Sequence, residues 1–427
     1  MCEVSKIVEE LRKNPVFHMS LASKELFHSN VLAWLLESRD SDDNQPSEIA
    51  KALAKLFMPK QDSDNGYKVL TVLREKNHFD LIIVFLPDNN DFKDDWAEIE
   101  GIFQNSYSEN RDLLEKLEKS CRFVVVENKF KSIPNTKQLE TYKQKAKINF
   151  SKKIKMNDDN TTYYLLAPQV SLDQFEGCNG WETISWNKIS EKLSEALETK
   201  ERRDPFTAKF IEHYANFLKN MLQLTKDIEE KLEDNKNHAF PDYWQDIFEL
   251  KKIRIHDFYE KLWFSVLLNK ITITDEEIKR ILKTGSGYTN ASGLLDFKIT
   301  DEKKHVWRGV QIQQRQLRIE LEPASKCRWI RTQDDATPDG AIRNYCDKVL
   351  KFMNEKSGKN LVFSLKKDPE ELHFFGEFKY RYIPLEENEK ISIEKLAEMI
   401  NYALEAIYYT PLEEGLEAEE KNPKKPH

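Results

Sequence analysis

The most informative run of residues for the fold is Arg122-Phe123-Val124-Val125-Val126-Glu127-Asn128-Lys129-Phe130. It begins as an apolar, β-branched run and ends in a carboxylate and an amine two residues apart. Apolar residues on both alternating faces predict a strand that is covered on both sides. On such a strand Glu127 and Lys129 point to the same face. Charged groups at the end of a buried strand cost free energy to desolvate, so their presence indicates a role other than stability.

A second apolar strand, with a single charge, precedes this one. It reads Phe79-Asp80-Leu81-Ile82-Ile83-Val84-Phe85-Leu86, and Asp80 lies near its start. A lone carboxylate in an apolar strand needs a cation, hydrogen-bond donors or a metal. From the residues alone, Asp80 is also compatible with a turn cap or a pair with Arg74. Likewise, Glu127 and Lys129 are compatible with a simple ion pair at the strand end.

The remaining patterns predict an α/β (α+β) fold class. Helices and strands alternate in an order typical of a mixed β-sheet core flanked by helices. We expect this core at residues 1–200, with an acidic, partly helical insertion at 88–120, a helical connector at 201–239, a second α+β domain at 240–412 and a disordered tail at 413–427. In the second domain the patterns predict strands at 294–299, 306–312, 317–322, 361–365 and 374–382.

The composition of the chain narrows the classes of protein to which it can belong. The 427 residues carry a net charge of −8, and five cysteines are scattered without a C-x-x-C pair. We therefore expect no disulfide scaffold and no zinc site. The start of the chain lacks the features of a signal peptide, and no apolar run approaches the roughly 18 residues of a membrane span. These features favour a cytoplasmic protein that does not enter a membrane.

Basic residues are concentrated beside the apolar strand. Between Lys129 and Lys155 the chain has nine lysines and one acid, Glu140. A local basic strip favours contact with a phosphate backbone more than the overall net charge opposes it. Our candidates for nucleic-acid contact are Lys131, Lys137, Lys143 and Lys145. The same pattern is typical of a solvated helix face, and that alternative stays open.

Asp80 and Glu127, on neighbouring strands, could ligate one hard cation such as Mg²⁺ through oxygen. The backbone carbonyl of Asn128 projects near the same point and is a further candidate ligand. A metal there would lower the pKa of a bound water and offset charge on a phosphorane-like transition state. Lys129 could orient or help to deprotonate that water, or stabilise the developing charge. This chemistry is hydrolysis of a phosphodiester.

This grouping resembles the PD-(D/E)XK nuclease superfamily over roughly residues 1–200. The matching pieces are Glu25 on an early helix, Asp80 in its strand, Glu127-Asn128-Lys129 after the valines, and Gln138 and Tyr142 on the next helix. The resemblance implies a restriction-endonuclease-like core with Mg²⁺ (or Mn²⁺) as cofactor. It implies that Asp80 and Glu127 are metal ligands and Lys129 the catalytic lysine. It further implies an accessory acid at Glu25 and active-site positions at Gln138 and Tyr142.

By themselves these last three residues are less informative. Glu25 also suits the first turn of a helix, and Gln138 and Tyr142 suit an ordinary helix face. His28 and His78 are expected at the surface or behind the site, without a metal.

The function expected is that of a Mg²⁺-dependent (endo)deoxyribonuclease whose C-terminal domain recognises the substrate, regulates it or binds a protein partner. A homodimer is compatible with the sequence. The alternative is a catalytically silent module that binds nucleic acid or protein on a nuclease fold.

Overall fold

The computed structural model describes most of the chain and divides it into two compact units. One unit comprises Met1–Asp227 and Asp246–Leu262, and the other comprises Ile228–Gln245 and Trp263–His427. Within the described residues, no helix is both long and apolar enough to cross a membrane. The described residues are 3–20, 24–40, 45–58, 66–76, 79–87, 92, 95–105, 110–134, 136–145, 154–172, 175, 180–199, 205–234, 239, 243–288, 293–301, 306–313, 315–321, 338–358, 360–363, 372–375, 378–385 and 391–411.

The first unit is built on a five-stranded sheet in the order β1-β2-β3-β4-β5. β2 is antiparallel to both β1 and β3, whereas β3, β4 and β5 are parallel to one another, so the sheet is mixed. Its elements are α1 Glu3–Lys13, α2 Pro15–Ser20, α3 Lys24–Leu36, α4 Glu48–Phe57, β1 Tyr67–Arg74, β2 Leu81–Pro87, α5 Trp96–Asn105, α6 Arg111–Ser120, β3 Arg122–Asn128, α7 Thr136–Lys145, β4 Thr161–Ala167, β5 Glu182–Ser185, α8 Trp186–Leu197 and the long α9 Pro205–Asp234.

Strands β2 and β3 are the centre of this unit. Residues 81–86 and 123–128 are buried without interruption, as expected for strands covered on both faces. Ile82, Val84 and Val125 belong to a core cluster that also contains residues of α5, α6 and α7. Because side chains alternate along a strand, Val126 and Asn128 point to the opposite face. The two faces of β3 therefore meet different helices.

Side-chain hydrogen bonds fix local geometry at both ends of the sheet. β5 passes directly into α8 because the Ser185 hydroxyl caps that helix, accepting a hydrogen bond from the N–H of Lys188 at 3.3 Å. At the edge strand β1 the register shifts between Val69 and Thr71. The carboxylate of Glu37 accepts a 2.7 Å hydrogen bond from the N–H of Val72 there. Glu37 thus accepts from a backbone donor of β1, which is an edge strand among the described residues.

The second unit contains a six-stranded antiparallel sheet in the order β10-β11-β9-β8-β7-β6. Along the rest of the chain, the elements are α10 Tyr243–Lys251, α11 His256–Lys270, α12 Glu276–Ile281, β6 Leu282–Tyr288, β7 Gly293–Asp301, β8 Val306–Gln313, β9 Gln316–Leu321, α13 Pro338–Ser357, β10 His373–Phe375, β11 Phe378–Pro384 and α14 Ile393–Tyr409. The fold class is confirmed: a mixed, restriction-endonuclease-like α+β core is followed by a second sheet domain.

Two strand predictions in the second unit need correction, and one strand was not predicted. The predicted strand at 374–382 is two strands, β10 and β11, which pair as a hairpin. Residues 361–363 lie in no strand, and 364–365 lie outside the described residues. β6 was not predicted because its glycine-containing sequence lacks apolar alternation. It forms through backbone pairing with β7 from Leu282 to Tyr288, and such pairing is independent of side-chain pattern.

Candidate active site

The end of β3 carries a buried ion pair. The Nζ atom of Lys129 lies 2.7 Å from Oε1 of Glu127, and the two residues are only 8% and 2% exposed. Lys129 follows the last residue of β3, but its N–H donates to the Leu166 carbonyl of β4 at 2.7 Å. The backbone is thereby held in line with the sheet. Both side chains consequently lie on one face, as the alternation predicted.

Asp80 lies at the same end of the neighbouring strand. The register pairs Leu81 of β2 with Val126 of β3, which places Asp80 opposite Glu127. Oδ2 of Asp80 accepts a 2.7 Å hydrogen bond from the backbone N–H of Asn128. Asn128 is flanked by Glu127 and Lys129. The structure therefore brings the three predicted charged groups together where the inner strands β2 and β3 meet, at the start of β2 and the end of β3.

The backbone of Asn128 also directs its carbonyl group. In an extended strand the N–H and C=O of one residue point to the same side. The N–H of Asn128 points to Asp80, whereas that of Lys129 points to β4. The Asn128 carbonyl is therefore directed to the Asp80 side, where the sequence predicted a third oxygen ligand.

Helix α7 adds Gln138 and Tyr142 to this group. Nε2 of Gln138 donates to the hydroxyl of Tyr142 at 2.8 Å and lies 3.5 Å from Oε1 of Glu127. The ring of Tyr142 packs edge-on against Phe79, the residue before Asp80, at 5.8 Å between ring centres. The spacing of one helical turn puts both side chains on one face. The structure thus places both accessory residues beside the carboxylates.

Other predicted residues are less completely placed. Glu25 lies on α3, but its side chain is outside the described part of the structure, as are the side chains of Lys137 and Lys145. Lys143 is directed to a packing contact: its Nζ lies 5.5 Å from the centre of the Tyr163 ring. A Cβ at Gly180 would come within 2.6 Å of the same atom. Lys131 is partly buried near His28, and its charge contributes to lowering the pKa of that imidazole.

His28 is not at the surface, so of the two placements expected for it, at the surface or behind the site, the structure excludes the first. It is fully buried on α3, with its ring centre 4.0 Å from that of Phe130 and 5.6 Å from that of Phe217. Nδ1 is 3.1 Å from the Tyr214 hydroxyl of α9. Burial, and secondly the charge of Lys131, holds the pKa of His28 well below its ordinary value. Burial also raises the pKa of Tyr214.

A helical pattern in the sequence could have indicated this burial. Leu32 and Leu35, four and seven residues after His28, are also fully buried, so His28 continues an apolar face. His78 lies outside the described residues.

The donor set suits a hard divalent cation. Mg²⁺ prefers oxygen ligands and is usually held by one or two carboxylates with several waters. Asp80, Glu127 and the Asn128 carbonyl offer that set at one edge of the sheet. Within the described part of the chain, no group of three or more His, Cys, Asp and Glu side chains is placed to hold a metal. A site here would therefore depend on two carboxylates, a carbonyl and water.

Comparison with known proteins finds a family model that matches this region. Residues 16–216, a little under half of the chain, match the family model described as the PD-(D/E)XK nuclease superfamily. No curated protein and no solved structure matches the chain. The matched region contains every residue of the site described above. The resemblance inferred from the sequence is thus confirmed. It implies a hydrolase of the nuclease type, since members of this superfamily act on nucleic acid and typically use divalent metal ions.

Proposed function

Starting from the match of residues 16–216 to the PD-(D/E)XK nuclease superfamily, we propose that this chain is a Mg²⁺-dependent (endo)deoxyribonuclease. The observation that carries the proposal is the 2.7 Å hydrogen bond from the Asn128 N–H to Asp80. It brings the Asp80 carboxylate to the strand end that bears Glu127 and Lys129. A purely structural ion pair between Glu127 and Lys129 would not require a second carboxylate at this point.

Each site residue has a distinct role in this proposal. Asp80, Glu127 and the Asn128 carbonyl would hold the metal ion. When bound, the divalent cation supplies positive charge for the scissile phosphate and lowers the pKa of water. Lys129 donates hydrogen bonds to the phosphate oxygens on which negative charge grows. Its ammonium is positioned for this by the 2.7 Å contact with Glu127.

Gln138 and Tyr142 support the carboxylate side of the site. Gln138 contacts both the Tyr142 hydroxyl and Glu127, so it restrains the Glu127 side chain. The Tyr142 ring packs on Phe79 and thereby restrains the backbone that leads into Asp80. Such restraint matters because a displacement of about 1 Å at catalytic groups costs substantial rate. We include Glu25 as an accessory acid on the resemblance alone.

DNA as the polymer also rests on the resemblance, since the site recognises a phosphodiester rather than a sugar. The second unit has its own buried core on its own sheet. We propose that it selects the substrate, regulates the site or binds a protein partner.

A cleavage panel tests the proposal. The full chain is incubated with circular and linear double-stranded DNA, single-stranded DNA and RNA, in Mg²⁺, in Mn²⁺ and in EDTA. Glu127→Gln and Lys129→Met are compared with Lys209→Met, which removes the lysine of an exposed pair with Glu212 at 2.9 Å. We expect metal-dependent cleavage by the wild type and the Lys209 variant, and none by the two site variants. Cleavage of the circle identifies an endonuclease.

Two outcomes would contradict the proposal. Binding of nucleic acid without cleavage of any substrate would favour the catalytically silent module. Cleavage that persists in EDTA or in Glu127→Gln would exclude the proposed site.

A further inference from the structure

We propose that the carboxamide side chain of Asn128 is a positioning group, which acts on Asp80 and Glu127 through the backbone at the end of β3. This inference rests on the proposed function, because it concerns the affinity of the same site for its metal ion. The side chain of Asn128 then has a role of its own, separate from that of the Asn128 carbonyl. Ser29 and Trp186 are the residues that hold this side chain.

The carboxamide of Asn128 is held by two buried partners on different helices. Nε1 of Trp186, the first residue of α8, donates to Oδ1 of Asn128 at 3.1 Å. Nδ2 of Asn128 donates to Oγ of Ser29 on α3, also at 3.1 Å. All three residues are fully buried. Because an indole N–H can only donate, the atom of Asn128 that faces Trp186 must be the oxygen, so the orientation of the amide is fixed.

These contacts lie on the opposite face of the sheet from the charged groups. Side chains alternate along β3, so Asn128 points to the face of α3 and α8 while Glu127 points to the face of α7. The backbone of the same residue donates to Asp80. Fixing the carboxamide therefore fixes the peptide to which Asp80 is bonded. The same residue bears the carbonyl directed to the proposed metal position.

A role in stability alone would have a different signature. A buried hydrogen bond that loses one partner destabilises the folded protein, wherever the bond lies. Groups that orient metal ligands have an additional effect, because their loss typically weakens metal binding or activity by about 10–100-fold. The two roles are distinguished by comparing variants that lose equivalent hydrogen bonds inside and outside this network.

The chain offers a matched pair for this comparison. Trp186→Phe removes the N–H that contacts Asn128 and keeps an aromatic ring against Phe130, whose ring centre lies 5.2 Å away. Trp263→Phe removes a similar buried bond, 3.2 Å from the indole N–H to the Ala239 carbonyl in the second unit. Ser29→Ala is a second, smaller change to the same amide. Each is made in the full chain.

The readout is direct binding of Mn²⁺, followed by electron paramagnetic resonance or calorimetry, together with thermal unfolding. We expect Trp186→Phe and Ser29→Ala to raise the dissociation constant for Mn²⁺ by about 10-fold or more. Trp263→Phe should leave that constant unchanged while lowering the melting temperature to a similar extent. In cleavage assays, the two network variants should need more metal for half-maximal rate and recover most of their rate at saturating metal.

Equal Mn²⁺ affinity in Trp186→Phe, Ser29→Ala and the wild type would overturn the positioning role and leave the proposed nuclease intact. Mn²⁺ binding by the wild type that is insensitive to Glu127→Gln would overturn both proposals. A loss of affinity in Trp263→Phe equal to that in Trp186→Phe would show a general effect of stability and would also overturn the positioning role.

Discussion

The carboxylate of Asp80 accepts a hydrogen bond of 2.7 Å from the backbone N–H of Asn128. These residues are 48 positions apart in the chain, and the contact joins the start of β2 to the end of β3. Asp80 can therefore contribute in two separable ways. Its oxygen accepts this hydrogen bond, and its carboxylate carries a negative charge.

Replacing Asp80 separates these properties. Asp80→Asn retains an oxygen that can accept from Asn128, so its free energy of unfolding should lie within about 1 kcal/mol of the wild type. Asp80→Ala leaves the Asn128 N–H without this acceptor and should cost about 1–3 kcal/mol. Both variants should lose Mn²⁺ affinity, because both remove the charge. Urea unfolding and Mn²⁺ titration check this, and an Asp80→Asn variant that binds Mn²⁺ normally would exclude Asp80 as a ligand.

Glu127 and Lys129 form a buried pair, so losing one partner should strongly lower the free energy of unfolding. Lys129→Met leaves the Glu127 carboxylate buried without this ammonium, and removing one member of a buried pair costs about 3–5 kcal/mol. The double variant Glu127→Gln, Lys129→Met should be more stable than Lys129→Met, since the residual charge is also gone. Urea unfolding measures this coupling.

The same pair also predicts an effect of Mg²⁺ on protein stability, which can be measured without a cleavage assay. Mg²⁺ should restore part of the stability of Lys129→Met, because a bound cation stabilises the folded state by mass action. Mg²⁺ should not stabilise the double variant, in which the uncharged amide of glutamine replaces the Glu127 carboxylate. Equal effects of Mg²⁺ on both variants would contradict a site at Glu127.

The hydroxyl of Tyr142 predicts an order of severity among variants of α7. Tyr142→Phe removes the acceptor of the 2.8 Å bond from Gln138 but retains the ring that packs on Phe79. Gln138→Leu removes the contacts to both Tyr142 and Glu127. The cleavage rate should therefore fall more in Gln138→Leu than in Tyr142→Phe. Tyr142→Phe should lower the free energy of unfolding by less than about 1 kcal/mol. Rates under saturating metal test the order, and the reverse order would assign the main role to the hydroxyl.

The different environments of two lysines predict unequal effects on nucleic-acid affinity. The ammonium of Lys143 lies over the Tyr163 ring, and this contact directs it into a packing position. In a Glu127→Gln background, Lys131→Gln should weaken binding and reduce the salt dependence by about one phosphate contact. Lys143→Gln should change both less. Fluorescence anisotropy at several salt concentrations provides the test, and equal slopes for the two variants would favour a shared phosphate-binding role.

Burial of His28 predicts acid sensitivity. Its pKa in the folded protein is lowered, whereas in the unfolded chain it is near the ordinary value of 6.5. Below that value the unfolded state binds more protons, so the contribution of His28 to stability is complete above pH 6.5 and is lost as the pH falls towards the lowered pKa. Stability should therefore decline with a slope of up to about 1.4 kcal/mol per pH unit for this one group.

The variant His28→Leu, Tyr214→Phe should lack this slope, because it removes the imidazole and its buried partner together. Tyr214→Phe alone should retain it. His256, whose pKa burial also lowers, contributes to all three proteins and cancels in the comparison. The exposed His18 provides the control His18→Gln. Urea unfolding at pH 5 to 8 checks the result, and equal slopes with and without His28 would contradict it.

Local sequence patterns were sufficient to locate the two strands that carry the candidate site. Uninterrupted burial of β2 and β3 followed from their apolar runs, because a period of two with apolar residues at both positions leaves no face for solvent. The position of Glu127 and Lys129 on one face followed from the same alternation. Gln138 and Tyr142 followed from helical spacing. All of these are properties of neighbours along the chain.

Contacts between groups far apart in the chain depend on how the helices and the sheet pack. The bond from Asn128 to Ser29 spans 99 positions, and that from His28 to Tyr214 spans 186. The contact of Lys143 with Tyr163 and the pairing of β6 with β7 are likewise absent from any local pattern. The physical reason is that a hydrogen bond requires two groups within about 3 Å in a set orientation. Local periodicity fixes the direction of one side chain, whereas the packing of helices on the sheet brings its partner to it.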